Sequence, residues 1–497
     1  MPAFASRDRE AAAAPEALAA WRDLLGAEHV VTAGEALARA AAATFATAHR
    51  VTAILRPGSR EEVRGCLRIA GRHRAPVYPV SRGKNWGYGS RVPAADGCAL
   101  LALDRLDRIL DFDEQLAYVT VEPGVTFAQV HRFLREQGSR LTLASPGSTP
   151  EASVVGNALE RGIAGGLDGD RASRVCDLEV ALPDGSLIRT GFGRFAPAAA
   201  APVARSGVGP GLEELFLQSN LGVVTRLTLW LTPLPAFYQA FTFTIGDRER
   251  LAPLVDALQA VRRDRLLEAG IGLYNACKVA SCGGAAGGGA WFGEGALTAP
   301  DQEIGSCQRR LLRQRLTGVV DHLAFRAPNA ANPLVGPPAR GSLASVYHCK
   351  AQPPPRDMDP DHDRCGIVWC CPLVPFRGSD VARCAGILEE TLAAYGFAPA
   401  VGAQCLSPRA VHVVASILYD RETPGSDEAA LACHRSMLAA AAGEGFLPYR
   451  LGLQGMDLLP PPADDSARLF QILKRAFDPA DVLAPGRYDF RYRWPQG

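Results

Sequence analysis

The sequence predicts an α+β protein of two or three domains, and three observations carry that expectation. Residues 51–137 alternate between short apolar strands and amphipathic helices. A glycine-rich turn follows one of those strands at 81–89, and a proline-rich exit, TPLP at 232–235, precedes a second run of strands and helices. At 497 residues the chain exceeds what one hydrophobic core usually holds. The expected divisions are 1–235, 236–459 and a C-terminal segment, 460–497.

Element by element, an amphipathic pattern predicts a helix over 10–26 and a strand at Val51–Leu55. A helix follows from Ser59 to Arg74, where SREE supplies a capping serine and first-turn glutamates. Strands are expected at Cys98–Leu103 and Ala117–Val121, around a turn at Asp104–Asp107, and then a helix at Phe127–Gln137. Cys176–Leu182 and Ser186–Thr190 form a hairpin about Pro183–Gly185, and Gly222–Leu231 is a β-branched strand. The second unit holds strands at Phe241–Ile245, Cys365–Pro372 and Val411–Tyr419. Its helices fall near 248–263, 302–316, 380–395 and 426–442, with a glycine turn at 283–289 and Pro/Asp-rich loops at 326–342 and 352–363. A last helix at Ala467–Phe477 precedes DPADVLAPGRYDF.

Composition narrows the function. Lys+Arg 53 against Asp+Glu 52 leaves a formal charge of +1, so no global field draws nucleic acid or an anionic membrane. Small molecules or proteins are the expected partners. Thirteen cysteines without CxxC or CxxCH spacing read as reduced thiols in a cytoplasm, and no metal site is expected. The N-terminus is broken by charges and no stretch reaches membrane-spanning length.

The stretch PVYPVSRGKNWGYG, residues 76–89, carries the first chemical signal. An apolar strand delivers the backbone into a turn with Gly83, Gly87 and Gly89, bearing Arg82 and Lys84. Successive N–H groups in such a turn form a nest that binds phosphate or pyrophosphate. Neither GxGxxG nor GxxxxGK[ST] occurs there, which disfavours a nicotinamide or P-loop site. A glycine-rich surface turn is the other reading of these residues.

Six stretches in order, SRGKNWGYGS, VEPGVTFAQV, VVGNALERG, CDLEVALPDGSLIRTGFG, GLEELFLQSNLGVVTRLTLWLTP and FDPADVLAPGR, resemble flavoproteins of the vanillyl-alcohol oxidase and p-cresol methylhydroxylase type. The resemblance spans nearly the whole chain. It implies an FAD-binding domain of two α+β subdomains over 1–235, an α+β substrate domain capping the flavin over 236–459, and return of 460–497 to the first domain. FAD contacts would come from Ser81, Arg82, Gly83, Lys84, Asn85, Trp86 and Gly87, from Glu122, Pro123, Gly124 and Val125, from Gly156, Asn157 and Arg161, and from Gly222, Val223 and Val224. Arg487 would lie by the pyrimidine ring, where a cation stabilises reduced flavin.

On the substrate side, the resemblance assigns Tyr88, Tyr449 and Arg450 to a phenolate oxygen, with two O–H donors and a guanidinium stabilising the anion. A para-phenolate pushes electron density toward its benzylic carbon, from which hydride leaves to give a p-quinone methide. Tyrosines at element ends are otherwise core residues with a satisfied hydroxyl. His412 falls where the family places a histidine beside the flavin, although a lone histidine on an apolar strand is commonly a core residue. Ser148 matches a position that is aspartate in the oxidases, with Ser145, Thr149 and Glu151 nearby. Non-covalent FAD is expected, since Ile367 stands where the oxidase branch has its flavin-linking histidine. Tyr347 is the candidate for a tyrosyl link, with His348 and His362 near it.

Two family segments differ: Gly165–Arg171 reads GGLDGDR and residues 206–211 read SGVGPG, each without aromatic residues that wall the flavin. The implied activity is FAD-dependent oxidation, dehydrogenation or hydroxylation of a para-substituted phenol. A tailoring oxidase of natural-product biosynthesis acting on a larger molecule is the alternative, and a non-catalytic flavin-binding protein a third reading. Oxygen or a separate electron carrier would reoxidise the flavin, and the resemblance implies a homodimer or a larger assembly.

Overall fold

The computed structural model describes residues 15–164, 167, 169–284, 288–330, 333–334, 343–350, 354–355, 358–458, 462 and 464–489. Residues 10–14 of the expected first helix, 285–287 of the glycine turn, much of the loops at 326–342 and 352–363, and 490–497 lie outside that set.

A four-stranded sheet begins the fold in the order Val30–Val31, Val51–Leu55, Cys98–Ala102, Val77–Val80, the last three parallel. Parallel strands need crossover connections. The helix Arg60–His73 supplies one, its start fixed by the Ser59 hydroxyl accepting from Glu62 N (3.2 Å). That helix and Pro15–Leu25 bury Trp21, Val63 and Leu67 against Leu55, Val77 and Leu101.

An antiparallel sheet follows in the order Ile109–Asp113, Tyr118–Val121, Val223–Trp230, Val175–Ala181, Leu187–Arg189. The helix Phe127–Glu136 packs on it and opens with a capping box between Thr126 and Gln129. Val154–Leu159, a short helix, starts at Ser153, whose hydroxyl accepts from Gly156 N (2.8 Å).

The second half is built on one large antiparallel sheet. Its path runs His322–Phe325, Phe237–Ile245, Trp291–Ala299, Ile271–Asn275, Ala400–Cys405, Ala410–Asp420, Cys365–Cys370, and Leu373–Pro375 pairs with Ala410–Asp420 as well. Alternate residues of a strand face opposite sides. Val411, Val413 and Ala415 therefore join the core under the helices Leu251–Arg263, Gln302–Leu316, Gly378–Ala394 and Ser426–Gly443. Val414, Gln404, Thr242, Thr244 and Trp369 face the other way, into a cavity shared with the first half.

After the helix Ser466–Phe477 the chain returns to the first sheet. Val77 N donates to Val482 O and Ala484 N to Val77 O, both at 2.8 Å. A buried lysine fixes this return: Lys474 Nζ donates to Asp478 (2.7 Å), Leu483 O (2.7 Å) and Asn220 O (3.1 Å). None of the thirteen cysteines forms a disulfide, and among the described residues no helix is long and apolar enough to cross a membrane.

Candidate active site

The strand Val77–Val80 delivers the chain into its glycine turn, where Gly83, Gly87 and Gly89 take φ of 64°, 77° and 108°. At Gly87 a side chain is excluded twice. The φ disfavours one, and an added Cβ would stand 2.1 Å from Trp369 Cδ1. Trp369 can therefore close over the turn, its indole N–H donating to the Trp86 carbonyl (3.1 Å).

Ser81, Arg82, Gly83, Lys84, Asn85 and Trp86 line a cavity of about 960 Å³. It continues past Pro123, the Ser145–Ser148 loop, Gly156, Asn157, Gly222–Val224 and Arg487 to the large sheet. The volume lies at the top of the range for small-molecule sites. Arg82 donates Nε to Gly124 O (2.7 Å), and Lys84 lies 5.2 Å from the Trp86 ring centroid. Neither has a carboxylate partner among the described residues. Two unneutralised cations beside a concave glycine backbone suit a pyrophosphate, so these residues fit FAD.

Not every residue expected at the cofactor faces the cavity. Of Glu122, Pro123, Gly124 and Val125, only Pro123 lines it. The buried Glu122 carboxylate turns the other way, to Arg108 (2.8 Å), and the Gly124 carbonyl is taken by Arg82. Arg161 is exposed and pairs with Glu214 (3.1 Å). Gly87 sits beneath Trp369. Tyr347 is 1% exposed, packed with Trp86 and Ile367, and its hydroxyl donates to Asp363 (2.5 Å) rather than entering the cavity. Arg487 does reach the cavity wall, held by an ion pair to Glu160 and by donation to Tyr78 OH (2.8 Å).

Tyr88, Tyr449 and Arg450 come together although some 360 residues apart in sequence. The Arg450 guanidinium stacks 3.7 Å from the Tyr88 ring centroid, donates to Asn85 Oδ1 and is 8% exposed. Tyr88 and Arg450 both bear electrostatically on the Tyr449 hydroxyl, and Tyr88 OH meets Cys371 Sγ at 3.2 Å. Burial pushes both tyrosines above the usual phenol range, with Arg450 opposing it. Both phenols therefore stay protonated at neutral pH and keep an O–H to donate. Burial pulls the Arg450 guanidinium down, but the Tyr449 and Tyr88 oxygens outweigh it and hold the group cationic. Two neutral donors and one fixed cation converge, an arrangement suited to an oxyanion.

The His412 ring meets Tyr449 edge-on, with centroids 4.7 Å apart and planes at 89°. It stands behind that tyrosine and is not among the cavity-lining residues. Burial lowers its pKa to about 4, so the ring is neutral, and Nδ1 has no hydrogen-bond partner among the described residues. Ser148 lines the cavity beside Ser145, whereas Glu151 is exposed and accepts from Thr149. The loop before them is tied by Arg171, 1% exposed, which donates to Asn157 Oδ1 (2.6 Å) and Ala144 O (2.5 Å).

Sequence reasoning missed Arg171, Cys371, Glu160 and Lys278, all of them buried or lining the site. Lys278 had a signal. The chain has only four lysines against an arginine background, and two of the others, Lys350 and Lys474, are spent on ion pairs.

Comparison with known proteins places these observations. Residues 51–191 match the FAD binding domain family. The chain is 42% identical to 1'-carboxy-chondrochloren decarboxylase of Chondromyces crocatus, over 96% of this chain and 98% of that protein. It is 27% identical to the 4-cresol dehydrogenase (hydroxylating) flavoprotein subunit of Pseudomonas putida, over 95% of each. Among solved structures, p-cresol methylhydroxylase with substrate bound superposes with a TM-score of 0.88 at 25% identity, covering 96% of this chain and 98% of that one. The isoeugenol complex of 4-ethylphenol oxidase from Gulosibacter chungangensis has the same fold, with a TM-score of 0.86, 24% identity and 97% of each chain covered. With its cradle, its fold and its full-length relatives in agreement, the chain belongs to the FAD-linked oxidoreductases of the p-cresol methylhydroxylase type.

Proposed function

We propose that this FAD-dependent oxidoreductase takes hydride from the benzylic carbon of a para-substituted phenol that forms part of a larger natural product, and couples the oxidation to loss of a carboxylate on the neighbouring carbon. The observation that carries the reading is the buried convergence of Tyr88, Tyr449 and Arg450 at the cavity wall. Relatives named for 4-cresol and for a carboxylated natural product support its two halves.

Held by FAD contacts at Ser81–Trp86, Gly156, Asn157, Gly222–Val224 and Arg487, the cofactor supplies the hydride acceptor. Tyr88, Tyr449 and Arg450 bind the phenol oxygen as its anion, which raises electron density at the para position and lets the benzylic C–H leave with its electron pair. The product of that step is a p-quinone methide. If the next carbon carries a carboxylate, its C–C bond breaks, the electron pair becomes the new C=C bond, and the ring returns to phenolate with release of CO2. The substrate has then lost a hydride and CO2, and the phenolate regains its proton on release. Trp369, closed over Gly87, keeps bulk water from the same face. The segment at 165–171, which lacks the aromatic residues of the family, favours a substrate larger than a cresol.

The test is anaerobic addition of 4-ethylphenol and of 3-(4-hydroxyphenyl)propanoate to the FAD-loaded protein. Bleaching of the flavin bands by either compound, with 4-vinylphenol formed from the propanoate, is the expected result. A flavin that neither compound bleaches would overturn the phenol reading.

A further inference from the structure

The large sheet contributes one cation to the cavity wall among the described lining residues, and it is buried without a counter-charge. Lys278 is 5% exposed and lines the cavity. It sits on the short helix Ala276–Ser281, which starts at a strand end fixed by Asn275, whose side-chain oxygen accepts from Lys278 N (2.9 Å). Asn275 is itself tied to Glu389 (2.6 Å) and to the Pro399 carbonyl (2.6 Å), so the presentation is rigid. The ammonium donates to Ser416 Oγ (2.5 Å) and lies 4.7 Å from the Trp369 ring centroid.

Those contacts satisfy only part of an ammonium, which has three N–H donors and a full charge. No carboxylate pairs with Lys278 among the described residues. The ionisable groups that face it are the thiols of Cys282 and Cys371. Burial pushes the Cys371 thiol up to about 11, so it is neutral where the enzyme works and supplies no charge. Burial without a counter-charge is costly and lowers the Lys278 pKa, and an anion entering the cavity would relieve the cost and favour the charged ammonium. Cys371 also touches Tyr88 OH (3.2 Å), which puts the lysine and the Tyr88–Tyr449–Arg450 cluster around one side chain. Two cationic centres on one wall, one flanked by tyrosines and one by a serine hydroxyl and an indole, match a ligand with an anion at each end.

We propose that Lys278 binds the carboxylate of the substrate and so selects phenolic acids over neutral phenols. The proposal rests on the reading of the cavity as a phenol site. It deepens that reading by naming the substrate class, a para-substituted phenol whose side chain ends or branches in a carboxylate. Held between Lys278 and the phenolate cluster, such a molecule has its side chain fixed at both ends and its benzylic carbon between them.

The test uses two ligands without a benzylic hydrogen, so that binding is read apart from turnover. (4-Hydroxyphenoxy)acetate carries the carboxylate and 4-ethoxyphenol does not, and each is titrated into FAD-loaded protein by the flavin difference spectrum. Wild type is expected to bind the acid more tightly than the ether. Lys278→Met is expected to weaken the acid about 10- to 100-fold, the share of one charge-assisted hydrogen bond, with the neutral phenol changed less than about twofold. Lys278→Gln, a smaller perturbation of the packing on Trp369, is expected to give the same selective loss. Equal losses for both ligands, or no loss for the acid, would overturn the proposal and leave Lys278 a structural cation on Trp369. A wild-type protein that binds neither ligand would instead overturn the phenol site beneath it.

Discussion

Replacing Tyr449 by phenylalanine isolates the chemistry of the phenolate site from its packing. The ring keeps its edge-on contact with His412 at 4.7 Å, so the site loses one hydroxyl and no volume. That hydroxyl lies beside Tyr88 and Arg450, and burial keeps it protonated and able to donate to an incoming oxyanion. A hydrogen bond to a charged acceptor contributes about 1.5–3 kcal/mol. At about 1.4 kcal/mol per decade this is about 10- to 150-fold in phenolate affinity, and losing it raises the pKa of a bound phenol by about one to two units. The assay is a pH titration of bound 4-nitrophenol, which has no benzylic carbon to oxidise and whose ionised form is coloured. Wild type should ionise the ligand well below its free pKa, and Y449F should shift the midpoint upward by that one to two units. A midpoint identical in the two proteins would refute the assignment of Tyr449 as a phenolate donor.

Three further outcomes follow from buried charges and from Tyr347. Lys474→Met leaves the Asp478 carboxylate, 2% exposed, without its 2.7 Å partner. It should cost about 3–5 kcal/mol in a denaturant titration, and K474M/D478L should recover part of that loss. Burial lowers His412 and His434 to a pKa of about 4, below the ordinary 6.5. Both histidines are therefore neutral in the fold, and their protonation in the unfolded chain makes stability fall as pH drops from about 6.5 toward 4. The loss is about 3 kcal/mol per histidine, and His434→Gln should flatten the decline when melting is followed against pH. With the Tyr347 hydroxyl committed to Asp363 outside the cavity lining, acid precipitation should leave the flavin in the supernatant. A yellow pellet would contradict non-covalent binding.

Local signals were the most readable part of this chain. The helix Gln302–Leu316 was legible residue for residue, and Arg60–His73 announced itself by its capping serine and first-turn glutamates. The strand Ile109–Asp113 was not legible, because it is an edge strand with exposed Leu110 and Asp111 and no clean alternation. Which strands of the second half pair, and in what order, is set by long-range packing that no window of sequence carries. At the site, glycine spacing pointed to the cradle but not to the direction each side chain takes. Glu122 turns to Arg108 and Arg161 to Glu214, since a nearby opposite charge decides the rotamer. Asn85 meets Arg450 across 365 residues of sequence, a contact made only when the two halves dock. Lys278 is one of only four lysines, yet that no carboxylate among the described residues pairs with it became visible only with the sheet assembled around it.

The most direct test of oxidative loss of a carboxylate is a single anaerobic turnover with stoichiometric 3-(4-hydroxyphenyl)propanoate, counting carbon dioxide released per flavin reduced. One CO2 and one 4-vinylphenol for each flavin bleached is the expected result. Flavin reduction with the carboxylate still present in the product would contradict the coupling of hydride removal to decarboxylation.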